Sequence, residues 1–208
     1  MTFEGTPDDH IQRICGMRKR GQPEDIAGLM EYVSHEDEMV SGMATIMLGE
    51  TAAPQALPLL SSLCLYGASG SKRRAGATAL ANYDLADRLP VLLKALDDPH
   101  PGVVARVIVS IGTPQSPEIW DRIEPLLYRS DGGIKEMVFL TLMKARRMDE
   151  KAIAEMERFA QSDEGLKNDS MILSSRTQML ALCGYIPDHS GQTLAEMVEE
   201  ARTLLPDG

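Results

Sequence analysis

One ten-residue pattern recurs along this chain, and its spacing leaves room for little but paired helices. The pattern is an apolar residue, an often basic one, then small or apolar residues ending near glycine. It reads VSGMATIMLG (40–49), KRRAGATALA (72–81), VVARVIVSIG (103–112), IKEMVFLTLM (134–143) and SRTQMLALCG (175–184). The starts at 40, 72, 103, 134 and 175 stand 32, 31, 31 and 41 residues apart. A period in this range marks repeat architectures, in which each unit leaves an apolar face that only a neighbouring unit can cover. The fifth and eighth positions of the copies are small or moderate: Ala44 and Met47, Gly76 and Ala79, Val107 and Ser110, Val138 and Thr141, Met179 and Leu182. Residues three apart share a helix face, so these pairs let a second helix approach closely.

Ahead of each copy lies another amphipathic segment, at 24–33, 54–66, 85–96, 117–129 and 150–161. Polar breaks such as SHEDE, GASGS, DDPHPG and RSDGG follow four of these segments, so the repeating unit is helix, turn, helix. Pro54 and Pro117 stand at first-turn positions, where the missing N–H costs little. Pro58, Pro90 and Pro125 lie further in and are expected to bend or delay the first helix.

The fold class expected is therefore all-α: a right-handed α-α superhelix of about five helical hairpins with a capping helix at each end. A single domain over 1–208 would contain an N-terminal cap (8–21), repeats at about 22–50, 52–83, 85–113, 116–147 and 149–186, and a C-terminal cap (190–205). In the first cap, Ile11, Ile14 and Cys15 are expected on the covered side, with Arg18, Lys19 and Arg20 near the negative end of the helix dipole. In the second, Thr193 and Glu196 have the spacing of a capping box. The extra residues around SDEGLKNDSM (162–171) suggest a long loop or an added turn.

The stretches LPVLLKALDDPHPGVVARVIVSIG (89–112) and SKRRAGATALA (71–81) resemble the HEAT-like repeat family, in particular its short bacterial and phycobilin-lyase-like form. The resemblance spans roughly residues 22–186 and implies an armadillo-like helical solenoid. The basic residue that the family places second in the second helix is kept at Arg73, Arg176 and, as lysine, at Lys135. It is replaced by Ser41 and Val104, which argues against an unbroken Asp-to-Arg ladder through the stack.

The formal net charge of -10 disfavours a phosphate-backbone partner. Cys15, Cys64 and Cys183 form no CxxC pair and sit in apolar stretches, so buried thiols in a reducing, cytoplasmic setting are expected. No stretch has the make-up of a leader, and no apolar run approaches the roughly 18 residues of a membrane span.

Chemistry finds little purchase. His10, His35, His100 and His189 lie in polar turns or near helix starts, where exposed loop residues are expected, and no zinc-type spacing links them to cysteine. Asp97-Asp98, Glu36-Asp37-Glu38 and Glu199-Glu200 suit helix ends. No GxSxG or phosphate-loop spacing occurs. Trp120, the one tryptophan, is expected to pack between repeats. No catalytic residue, cofactor or metal site is therefore expected.

Interaction signals remain. The second helices VVARVIVSIG and IKEMVFLTLM have almost no polar face, so they are either covered on both sides or line an apolar inner wall. Basic residues in Lys72-Arg73-Arg74 and at Arg106 and Arg176 would suit an acidic peptide if they turn inward. The expected partner-binding residues are Met43, Ile46, Arg74, Thr78, Arg106, Val109, Glu136, Phe139 and Leu140, on a concave face that takes a partner helix or peptide. The resemblance also implies an alternative, an accessory or lyase-type subunit acting on a cofactor or partner protein. Nucleic-acid binding through the basic clusters, as in HEAT-like DNA glycosylases, ranks last.

Overall fold

A computed structural model describes residues 4–20, 22–114, 116–129, 132–165 and 192–205. Every regular element among them is helical, and the chain divides into two compact units, 1–111 and 112–208.

The first unit holds α1 (Pro7–Arg20), α2 (Pro23–Tyr32), α3 (Glu38–Glu50), α4 (Leu57–Tyr66), α5 (Gly70–Leu80), α6 (Leu85–Ala95) and α7 (Pro101–Ile111). Helix starts follow local chemistry. The Asp37 side chain accepts the Met39 and Val40 N–H groups at 2.8 and 3.0 Å, and the Ser69 hydroxyl accepts that of Lys72 at 3.3 Å. These are amide donors that a helix start leaves unmatched. Pro54 opens a 3-10 turn that delays α4, with Pro58 in its first turn, whereas Pro90 is tolerated inside α6.

Three hairpins result, α2 with α3, α4 with α5 and α6 with α7. Helices α3, α5 and α7 pack one after the next, α4 packs on α6, and α1 covers α2 and α3. Small residues make the contacts possible. A Cβ on Gly49 would lie 2.5 Å from the Ala79 Cα, and one on Gly76 would lie 2.6 Å from the Cys64 nitrogen. Backbone therefore meets backbone at the α3–α5 and α4–α5 crossings, closer than any side chain permits. Ala44, Gly76, Ala79, Val107 and Ser110 are buried, while Met47 is half-buried.

Polar links join successive hairpins as well. The Ser69 hydroxyl donates to Glu38 Oε1 at 2.7 Å, the Tyr83 hydroxyl to the Ala53 carbonyl at 2.9 Å and the Ser110 hydroxyl to the Ala77 carbonyl at 2.8 Å. Arg73 grips Asp98 from the next hairpin with Nε at 2.5 Å and Nη2 at 2.9 Å, and its Nη1 donates to the Gly67 carbonyl at 3.0 Å. One rung of an Asp-to-Arg ladder thus forms, while Ser41 and Val104, where the basic residue is missing, are simply buried.

The second unit holds α8 (Pro117–Ile123), α9 (Leu126–Arg129), α10 (Gly132–Lys144), α11 (Glu150–Ala160) and α12 (Leu194–Arg202). Pro125 separates α8 from α9, as its position inside a first helix predicts. Helix α10 packs on α9 and α11, and α11 also packs on α12. Val138 and Thr141, its fifth- and eighth-position residues, are both buried. Lys135 takes the place of Arg73 here: its Nζ lies 2.5 Å from Glu155 and donates to the Leu127 carbonyl at 2.9 Å. The α12 capping box forms, with Thr193 N donating to Glu196 Oε2 at 2.7 Å and Glu196 N to the Thr193 hydroxyl at 3.2 Å. The fifth pattern copy with Arg176, Met179, Leu182 and Cys183, along with His189 and residues 166–171 of the expected loop, lies outside the described residues.

Two expectations need correction. Cys15 is exposed, because the covered stripe of α1 runs through His10 and Ile14, four apart, instead of through the cysteine. His10 and His35 are buried, not loop residues in solvent. His10 Nδ1 lies 3.1 Å from the Tyr32 hydroxyl, the His10 and His35 ring centroids are 4.8 Å apart, and His35 Nδ1 accepts the Asp37 N–H at 3.0 Å. The His35 ring thus holds the α2–α3 turn, and the Asp37 bond places the proton of the neutral ring on Nε2. His100 is exposed as expected.

The two described cysteines should differ in reactivity. Burial, with a further push from the Asp98 charge that Arg73 partly offsets, raises the Cys64 thiol to about 12. It stays protonated at neutral pH, and the thiolate is the reactive form. Brief treatment of the folded protein with iodoacetamide is expected to modify Cys15 and spare Cys64, with peptide mass mapping as the readout.

Candidate partner-binding face

On α3 the residues that escape full burial include Met39, Gly42, Met43, Ile46 and Glu50. On α5 they include Ser71, Arg74 and Thr78, and on α7 Gly102, Arg106 and Val109. The α5 and α7 sets step by three or four residues, as do Met39, Met43, Ile46 and Glu50 on α3 with Gly42 beside Met43, so each helix keeps one stripe out of the packing. Because α3, α5 and α7 are successive neighbours, the three stripes belong to one run of helices within the first unit.

Six of the nine expected partner-binding residues fall on these stripes. Arg74 is exposed, and Met43, Ile46, Thr78, Arg106 and Val109 are half-buried. Ile46, Thr78 and Val109 occupy the same position in three successive copies of the pattern. The face is apolar on α3, where Met39 is 68% exposed, and carries cationic side chains on α5 and α7. Nothing lies within 4 Å of a Cβ built on Gly42, which leaves the backbone of α3 itself approachable.

The other three lie apart from this face. Glu136, Phe139 and Leu140 sit on α10 in the second unit, with Phe139 completely inaccessible and the other two nearly so. The near absence of a polar face on α10 goes with cover from α9 and α11, and these side chains are closed to a docking protein in this conformation. Met39, by contrast, is absent from the expected set because the repeated pattern begins at Val40. Asp37 was the available signal: as an N-cap it starts α3 at Glu38 and puts Met39 four residues before Met43, on the same stripe.

One residue of each basic cluster is engaged within the fold. Arg18 pairs with Glu50 at 2.6 Å, Arg73 with Asp98, and Arg147 lies over the Trp120 ring at 4.8 Å. No group of three or more His, Cys, Asp or Glu among the described residues could hold a metal ion, and no described helix is long and apolar enough to cross a membrane. Neither a family model nor a curated protein matches the chain.

Proposed function

We propose that this protein is a non-catalytic interaction module whose hairpins are HEAT-like repeats, wound right-handed in the first unit, and that it binds a partner helix or peptide on the α3–α5–α7 face. The observation that supports this most is the alignment of Ile46, Thr78 and Val109 on three successively packed helices, beside an exposed methionine and an exposed arginine. Methionine adapts its shape to an incoming apolar surface, and an amphipathic helix offers side chains at matching three- and four-residue intervals. The partner expected is an amphipathic segment that sets its apolar stripe on Met39, Met43 and Ile46 and a carboxylate against Arg74.

Photo-crosslinking in the native lysate tests the proposal. A photoactivatable residue at position 46 or 78 is expected to capture a protein that the same residue at exposed Gln161 does not. Ile46→Asp is expected to weaken that capture about tenfold or more, as loss of a central apolar anchor does. Equal capture from all three positions, or capture insensitive to Ile46→Asp, would refute it.

A further inference from the structure

We propose that a recess in the second unit receives the cationic end of a lysine or arginine side chain from a partner polypeptide, exchanging it for Lys151 on the face of Tyr128. This site is separate from the α3–α5–α7 face and does not depend on it. The recess, of about 460 Å³, is lined by Trp120, Asp121, Glu124, Pro125, Tyr128 and Lys151.

The local sequence builds it. Trp120, Glu124 and Tyr128 follow one another at intervals of four, so a helical path brings them to one side. Pro125 interrupts α8 before α9 without turning the chain away: the Glu124 N–H donates to the Trp120 carbonyl at 2.9 Å, and the Tyr128 N–H to the Pro125 carbonyl at 3.2 Å. Lys151 reaches over from the first turn of α11.

The chemistry selects for positive charge. An aromatic face carries negative potential and attracts cations lying within about 6 Å of its centre. Both rings here already show that preference, with the Arg147 guanidinium 4.8 Å from the Trp120 centroid and the Lys151 ammonium 4.4 Å from that of Tyr128. Two carboxylates, Asp121 and Glu124, line the same recess. The Tyr128 hydroxyl is pushed up by burial and then by the charges of Asp149, Glu124 and Glu155.

Lys151 is itself exposed, on a long and flexible stem, and makes the contact that an incoming cation would make. A lysine presented by a neighbouring chain can take the same place over Tyr128 while Asp121 and Glu124 neutralise it. A purely apolar side chain would meet the carboxylates with no compensating contact.

Trp120 is the only tryptophan, so its fluorescence reports on this recess alone. The full-length protein is titrated with N-acetyl-lysine methylamide and, separately, with the norleucine counterpart that lacks the charge. A saturable change is expected with lysine and none with norleucine. Lys151→Ala, which removes the internal competitor, is expected to tighten binding about two- to fivefold. Asp121→Asn combined with Glu124→Gln is expected to weaken it, and Tyr128→Leu to abolish it. Circular dichroism checks that Tyr128→Leu still folds, and if it does not, the Lys151 and carboxylate variants decide. Equal responses to lysine and norleucine, no response at all, a response to tetramethylammonium without one to the lysine derivative, or a Lys151→Ala variant that binds no tighter would each overturn the proposal.

Discussion

Alanine at Gly49 or at Gly76 is expected to lower the stability of the protein by about 2–3 kcal/mol, the scale of an overpacked core. The direction runs against helix propensity, since alanine in a helix interior is favoured over glycine by about 1 kcal/mol. Packing wins because of what the new methyl group meets. At Gly49 it would lie 2.5 Å from the Ala79 Cα and 2.7 Å from the Ala79 carbonyl oxygen, and at Gly76 it would lie 2.6 and 2.9 Å from the Cys64 nitrogen and Cα. No rotamer change relieves a clash with backbone, so α3 and α5, or α4 and α5, must move apart and open the small-residue contacts along their length. Gly42 is the control, because it is helical yet has open space where its Cβ would be. Gly42→Ala is expected to leave stability unchanged or raise it. Urea denaturation of the three variants measures the difference, and a destabilised Gly42→Ala beside an unaffected Gly49→Ala would refute the packing described for α3 and α5.

Breaking the Arg73–Asp98 pair is expected to have an effect of comparable size. The two side chains are only 16% and 6% exposed, and Arg73→Leu leaves the Asp98 carboxylate with little beyond the His100 N–H, 2.8 Å away. Removing one partner of a fully buried ion pair costs about 3–5 kcal/mol and of an exposed one about 0–1 kcal/mol, so for this part-buried pair a loss of about 2 kcal/mol is expected. Leucine at both positions is expected to recover much of the loss, which separates the penalty of an orphaned charge from the worth of the pair.

The pH dependence follows from the same geometry. Burial works against the Asp98 charge, but the Arg73 hydrogen bonds and the His100 N–H outweigh it and hold the carboxyl below the ordinary aspartate value. A carboxyl depressed on folding stabilises the protein fully above its unfolded value, near about 3.9, and the contribution drains away as the pH falls through the lower folded value. Asp98→Asn is therefore expected to be less stable than the wild type at neutral pH and to lose less on acidification. The two melting curves should converge in acid, and a constant gap at every pH would show that the charge contributes nothing.

Much of the helical organisation is legible in the residues because local chemistry and packing agree. The expected first-helix segment 117–129 is found as α8 and α9, split where Pro125 interrupts it, and the Thr193–Glu196 spacing does form a capping box. Misreadings arise where only tertiary contact decides. The apolar run of α10 fits either a wall offered to a partner or a helix wrapped by neighbours, and nothing in Glu136, Phe139 and Leu140 separates the two until α9 and α11 are placed. His10 reads as a polar-turn residue, yet it follows Ile14 into the core because both lie on one stripe of α1. Arg73 and Arg74 look alike in sequence, but one is held by Asp98 and the other faces solvent. The Trp120 recess is not legible in the sequence because cation and aromatic come from different elements, Lys151 from α11 and Tyr128 from α9.

The ordered succession of α3, α5 and α7 underlies both the glycine contacts and the partner-binding face. Spin labels at Ile46, Thr78 and Val109, taken two at a time in a background with Cys15 and Cys183 replaced by serine, measure it directly. With neighbouring helix axes about 8–10 Å apart, the 46–78 and 78–109 pairs are expected to show strong short-range broadening. The 46–109 pair should fall near twice that separation. A 46–109 distance as short as the other two would mean that the three helices close on one another as a bundle, and the proposed face would not exist.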